Sequence, residues 1–128
     1  MRDLYSNIKA EAAIAPAVQS ASKDGDAIDL KNAGRAAFVL NTGAIVSSGD
    51  FSAKLQESDT TTPGDFTDVA ATQVNSDAPA TLEAASTYRL GYRGHKRYAR
   101  IVLTKAGGTS IAAGAVAVLG DLRDRPEA

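Results

Sequence analysis

A chain of 128 residues with a formal net charge of −1 has the size of a single domain and lacks the basic excess of a protein that coats itself with nucleic acid. With no cysteine, disulfides and thiolate metal sites are excluded. No apolar run approaches the roughly 20 residues that a membrane-crossing helix needs, so no membrane association is expected. The opening MRDLYSNIKAEAAIAP is interrupted by Asn7, Lys9 and Glu11 and does not read as a signal peptide, which fits a chain made and folded in a cytoplasm.

Alanine supplies much of the 44% hydrophobic content and aromatics only 5%. The expected core is therefore thin, built from Ile, Val, Leu and Ala. Small side chains bury little area each, so help from a partner surface or from self-association is expected. Charge is unevenly spread: residues 1–86 carry 6 Lys+Arg against 12 Asp+Glu, and residues 87–128 carry 8 against 3. Such a layout either docks one copy on another or interleaves within one folded molecule.

In chain order, Leu4, Ile8 and Ala12 fall at i, i+4 and i+8, which predicts a short helix over 3–14, opened by Asp3 and ended before Pro16, or else an extended arm. Residues 16–26, PAVQSASKDGD, read as a connection with an Asp24-Gly25 turn. From there the pattern is β. AIDL (27–30) and AAFVL (36–40) are short apolar runs parted by Asn32-Ala33-Gly34, and DFSAKLQE alternates Phe51, Ala53 and Leu55 with polar residues.

ESDTTTPGDF marks an exposed loop whose far end is expected to tuck Phe66 and Val69 onto the core. TLEA (81–84) reads as a brief strand or a turn. STYRLGY and RYARIVLT each alternate, with Tyr88, Leu90 and Tyr92 on one face of the first and Ala99, Ile101 and Leu103 on one face of the second. Joined by RGHK, they predict a hairpin. After a turn at 105–109, IAAGAVAVLG reads as a strand covered on both faces, by the opposite sheet or by a neighbouring subunit. DLRDRPEA reads as an exposed tail.

Short strands separated by turn signals every 8 to 12 residues indicate a mainly β fold, a single antiparallel β-sandwich or jelly-roll-like domain with an N-terminal arm or short helix. The expected division is an arm and connection at 1–26, the sandwich at 27–120 and the tail at 121–128.

No chemistry stands out. His95 is the only histidine, no G-x-S-x-G elbow supplies it with a serine, and basic neighbours crowd it. There is no phosphate-binding glycine loop and no H-E-x-x-H. Asp24, Asp26 and Asp29 miss the spacing of a calcium loop and read as a solvated acidic turn. No enzyme activity, cofactor or metal is expected. The segment YRLGYRGHKRYAR concentrates Arg89, Arg93, Lys96, Arg97 and Arg100 between Tyr92 and Tyr98. It lacks the helices of a GXXG clamp and the order of an RNP1 strand, so nucleic-acid binding is the weaker reading and a protein contact or a solvated sheet face the stronger.

The segments DLYSNIKAEAAIAP, LNTGAI, ESDTTTPGDFTDV, LGYRGHKRYARIVLT and AVLGDLRDRP, taken in this order, resemble small structural proteins of tailed bacteriophages encoded close to the major capsid protein. The residues that carry the resemblance are Asp3, Leu4, Ile8 and Lys9, then Gly91, Tyr92, Gly94, Lys96, Arg97, Tyr98 and Arg100, and finally Leu119, Gly120, Arg123 and Pro126. The resemblance implies a virion component, first of all a capsid decoration or cement protein on the outer head surface, present in the host cytoplasm during assembly, with the major capsid protein as partner. It also leaves open a head-to-tail joining or tail component. Self-association, with a trimer as one closed arrangement, would let the apolar strand at 111–119 line a subunit contact. Under this reading Leu4, Tyr5 and Ile8 would dock on the shell or an adjacent copy, and Arg93, His95, Lys96, Arg97 and Arg100 would make charge-paired contacts.

Overall fold

A computed structural model describes residues 4–31 and 33–120. A single 3₁₀ turn at Tyr5–Asn7 leads into β1 (Lys9–Gln19), followed by β2 (Lys23–Asp24), β3 (Ile28–Asp29), β4 (Arg35–Val46), β5 (Asp50–Ser58), β6 (Thr67–Asp68), β7 (Val74–Ser76), β8 (Thr87–Tyr92), β9 (Tyr98–Gly107) and β10 (Ser110–Gly120). They form two antiparallel sheets, β1-β10-β4-β8-β7 and β2-β9-β5-β6, with β3 also paired to β9. The mainly β, antiparallel sandwich expected from the alternating runs is what forms.

Inward residues follow the alternation. Phe38, Leu40, Tyr88, Leu90, Ala113, Ala115 and Ala117 from the first sheet meet Phe51, Leu55, Ala99, Ile101 and Leu103 from the second, all buried. Alanine dominates on β10, so bulk comes from Phe38 and Phe51, both fully buried. Leu82, from the loop before β8, closes one end of the core and donates its N–H to the Phe51 carbonyl at 2.8 Å. Phe66 is buried and Val69 packs against the core, as expected for the far end of the 57–66 loop.

Three expectations are corrected. The predicted helix over 3–14 is absent: Lys9–Gln19 is a strand along β10, with Lys9 opposite Leu119 and Gln19 opposite Ile111. Its register slips between Ala12 and Ile14 and again between Ile14 and Ala17, so Ala13 and Ile14 are buried in succession at a bulge, while Leu4, Ile8 and Ala12 share no buried face, Leu4 and Ala12 being exposed. The arm-and-connection reading of 1–26 accordingly yields to the first sheet's edge strand plus β2. At Gly25 the two sheets are tied together: its N–H reaches the Ile101 carbonyl at 2.8 Å, and the next N–H, of Asp26, reaches the Ala13 carbonyl at 2.7 Å. A Cβ at position 25 would collide with the Ile101 carbonyl oxygen, so only glycine allows this approach.

The hairpin expected between 86–92 and 97–104 does not form either, because β8 pairs with β4 and β7 while β9 pairs with β5. Residues 93–97 cross from one sheet to the other. Of the two forms expected for TLEA, strand or turn, it takes the turn, at Ala84–Ala85. Within one molecule the second sheet covers one face of β10, where Ile111 to Leu119 point inward at alternate positions, while Val116 on the other face is 42% exposed. The expected tail at 121–128 lies outside the described residues.

Candidate interaction surfaces

The basic segment sits at the crossover, and its charges are satisfied within the molecule. Tyr92, last residue of β8, turns inward; its hydroxyl donates to Glu57 Oε1 at 2.6 Å and accepts the Lys96 N–H at 3.1 Å. Burial, and next the Glu57 carboxylate, push this phenol above its ordinary range, so it remains a donor. Gly94 lies flat on the Tyr92 ring, where any Cβ would clash. The crossover is thereby wrapped around one phenol.

From this frame Lys96 Nζ reaches Asp59 at 3.1 Å, and Arg97 grips Asp29 through Nε at 3.3 Å and Nη2 at 3.2 Å. The fork of Arg97 holds the Asp29 carboxyl below its usual range. Arg93 donates from Nη2 to the Thr72 carbonyl at 2.6 Å, and Arg89 pairs with Asp77 at 3.2 Å. Thus cations of residues 87–100 meet acids and carbonyls of residues 24–77. The uneven charge of the sequence is interleaved by folding. Asp24 and Asp29 face Arg100 and Arg97, and among the described residues no group of three or more His, Cys, Asp or Glu could hold a metal ion.

Arg100 departs furthest from its expected role as a contact residue. Its neighbours Ala99 and Ile101 face the core, so Arg100 points to the outer side of the second sheet, yet it is only 9% exposed. Gln56 Oε1 accepts its Nε at 2.9 Å and its Nη2 at 2.7 Å, and Phe66 lies under the guanidinium at 4.4 Å. The 57–66 loop folds back and buries Arg100. His95 is exposed beside a cleft of about 440 Å³ shared with Lys31, Arg35 and Asp59. The crossover therefore places His95, Lys96 and Arg97 at one cleft, turns Arg93 to the Thr72 carbonyl, and leaves Arg100 to lie on Phe66.

The outer faces of the two sheets differ in kind. The second is closed by Phe66, Arg100 and the ion pair Lys54–Asp68 at 3.1 Å. The first carries the Arg89–Asp77 pair on its β8 side and an apolar groove toward β1. Its groove, about 670 Å³, has a floor of Gly43, Ala112 and Gly114 between Val18, Val39 and Val116, and no charged residue lines it. The sequence reading missed the β1 and β4 share of this groove. The available signal was the apolar character of both faces of 111–119, to which strands far away in the chain add Val18 and Val39.

Leu4 is 68% and Tyr5 85% exposed, while Ile8 is half-buried where β1 begins. No helix among the described residues is long and apolar enough to cross a membrane. No family model, curated protein or solved structure matches the chain.

Proposed function

We propose that this chain is a structural component of a tailed-bacteriophage head, a decoration or cement protein that binds the major capsid protein on the outer capsid surface and ties neighbouring subunits together. One observation carries the reading. The cations that make the crossover look like a nucleic-acid patch are engaged by the chain's own acids and carbonyls, whereas Leu4 is an exposed apolar side chain and the groove on the first sheet has an uncharged, mostly apolar lining. Uncharged apolar patches on a small domain suit protein partners. The segment resemblance given above supplies the viral context.

A protein that binds the assembled lattice better than free subunits stabilises it by mass action, without any catalytic group. Many weak, repeated contacts suffice for that role. The test is the copy number and position of the protein in purified virions, by quantitative mass spectrometry and cryo-electron microscopy of the head. Hundreds of copies over the shell are expected. A ring confined to one vertex would transfer the protein to the head-to-tail junction, and absence from the particle, with salt-sensitive DNA binding, would replace the reading altogether. Deleting residues 1–8, which stops short of β1, is expected to weaken attachment while the domain stays folded.

A further inference from the structure

The cleft of about 440 Å³ beside the crossover is cationic on both sides. One wall is the crossover, where Lys96 and Arg97 already hold Asp59 and Asp29. The other is the link from β3 to β4, which brings Lys31 and Arg35. Four cationic side chains thus meet at the cleft against two carboxylates, and His95 stands beside them. Among the described residues, neither the Lys31 ammonium nor the His95 imidazole has a hydrogen-bond or ion-pair partner, and both residues are exposed at the cleft. We propose that this cleft is a carboxylate-binding site, in which Lys31 and His95 take an aspartate or glutamate side chain from an acidic segment of a partner protein.

Three observations select that ligand. First, the surplus of cations favours an anion, and the field of the paired Lys96 and Arg97 adds to that of the unpaired Lys31. Second, the donors that remain are few. A phosphate cradle is built from free backbone N–H groups. Here those of Leu30, Lys31, Ala33, Gly34 and Lys96 are spent on the Arg97 carbonyl, Asp29, the Leu30 carbonyl, the Gly120 carbonyl and the Tyr92 hydroxyl. One ammonium and one imidazole N–H are left, a match for the two oxygens of a carboxylate and too few for the three of a phosphate group.

Third, Leu30, Ala33 and Ala36 line the cleft half-buried, packed against the core. That apolar surface suits the methylene stem of an acidic side chain, with the polar groups fixing its tip. A nucleic acid would instead need open rings for its bases. Tyr92 is buried with its hydroxyl engaged, and the Arg97 guanidinium lies over the Tyr98 ring, 5.1 Å from its centroid.

The contact therefore belongs to Lys31 and His95, and not to the crossover arginines, whose donors are occupied. Exposed pairs are individually weak. A single free acid binds poorly, and a segment carrying several acids gains from its local concentration.

The inference goes beyond the decoration reading and is tested on free full-length protein with no capsid present, so either can fail alone. Isotope-labelled protein is titrated with hexaglutamate at about 20 mM salt, where screening is weak, and followed by NMR. His95 is the sole histidine, so its imidazole signals report on the cleft alone. Saturable shifts are expected there and at the amides of Lys31, Gly34, Gly94 and Lys96. Lys31→Ala and His95→Ala, both at exposed positions, are each expected to weaken binding by about two- to fivefold, with thermal melts checking the fold. Lys23→Ala, which removes the same charge from β2, is expected to leave binding unchanged. Shifts that never saturate, shifts spread evenly over the other cations, or equal weakening in Lys23→Ala would overturn the inference. So would inorganic phosphate or a DNA oligonucleotide moving the same signals at lower concentration than the peptide.

Discussion

Replacing Arg100 by alanine separates an internal role from an interface role. The guanidinium places two N–H groups on one Gln56 oxygen, at 2.9 and 2.7 Å, a charge-assisted interaction worth about 1.5–3 kcal/mol. Its stacking on Phe66 at 4.4 Å adds about 0.5–2 kcal/mol. The Asp24 carboxylate, 3.8 Å away and 62% exposed, contributes little. The loss is then about 3 kcal/mol, a large part of the roughly 5–15 kcal/mol that holds a domain together. At about 3 °C per kcal/mol for a chain of this length, the melting temperature is expected to fall by about 10 °C. Circular dichroism melts read this directly, with Arg97→Ala as the control. That arginine forms an exposed pair with Asp29, and its loss is expected to leave the melt nearly unchanged. An Arg100→Ala protein that melts with the wild type, yet no longer attaches to heads, would refute the internal assignment and return Arg100 to the surface.

Two further outcomes follow from the crossover and the carboxylates. Tyr92→Phe removes the donor to Glu57 and the acceptor for the Lys96 N–H; it is expected to cost about 2 kcal/mol and to speed amide exchange at Lys96, with unchanged exchange there counting against the wrapped crossover. Asp29, Asp68 and Asp77 have folded-state pKa values below the ordinary 3.8, held down chiefly by Arg97, by Gln56 and by the Arg89 backbone N–H respectively. Their stabilisation is present above pH 3.8 and is lost as pH falls through the lower folded values. Urea midpoints measured between pH 6 and pH 2 are expected to be flat at first and to drop at the acid end, less steeply in Asp29→Asn.

Local pattern carried the strands because side-chain direction alternates along each one, whatever it pairs with. That is why Phe51, Leu55, Tyr88, Leu90, Ile101 and Leu103 were identified as inward residues from their spacing alone. The helical count misleads at β1, where Leu4, Ile8 and Ala12 share no buried face and a bulge buries the neighbours Ala13 and Ile14 together. For the candidate surfaces, Leu4 and Tyr5 are exposed at a position the sequence singles out, whereas the groove depends on β1, β4 and β10 lying side by side.

The sequence by itself determined a mainly β domain, its approximate strands and most of its core, since these depend on each residue's neighbours in the chain. Only the tertiary structure decided which strands pair, that β8 and β9 part into different sheets, and what becomes of each charge. Arg100 points away from the core, as its alternation requires, but Phe66, 34 positions earlier, covers it. Alternation says which side of a strand a residue occupies; whether that side meets water depends on segments distant in sequence, whose arrival is governed by packing and pairing across the whole molecule.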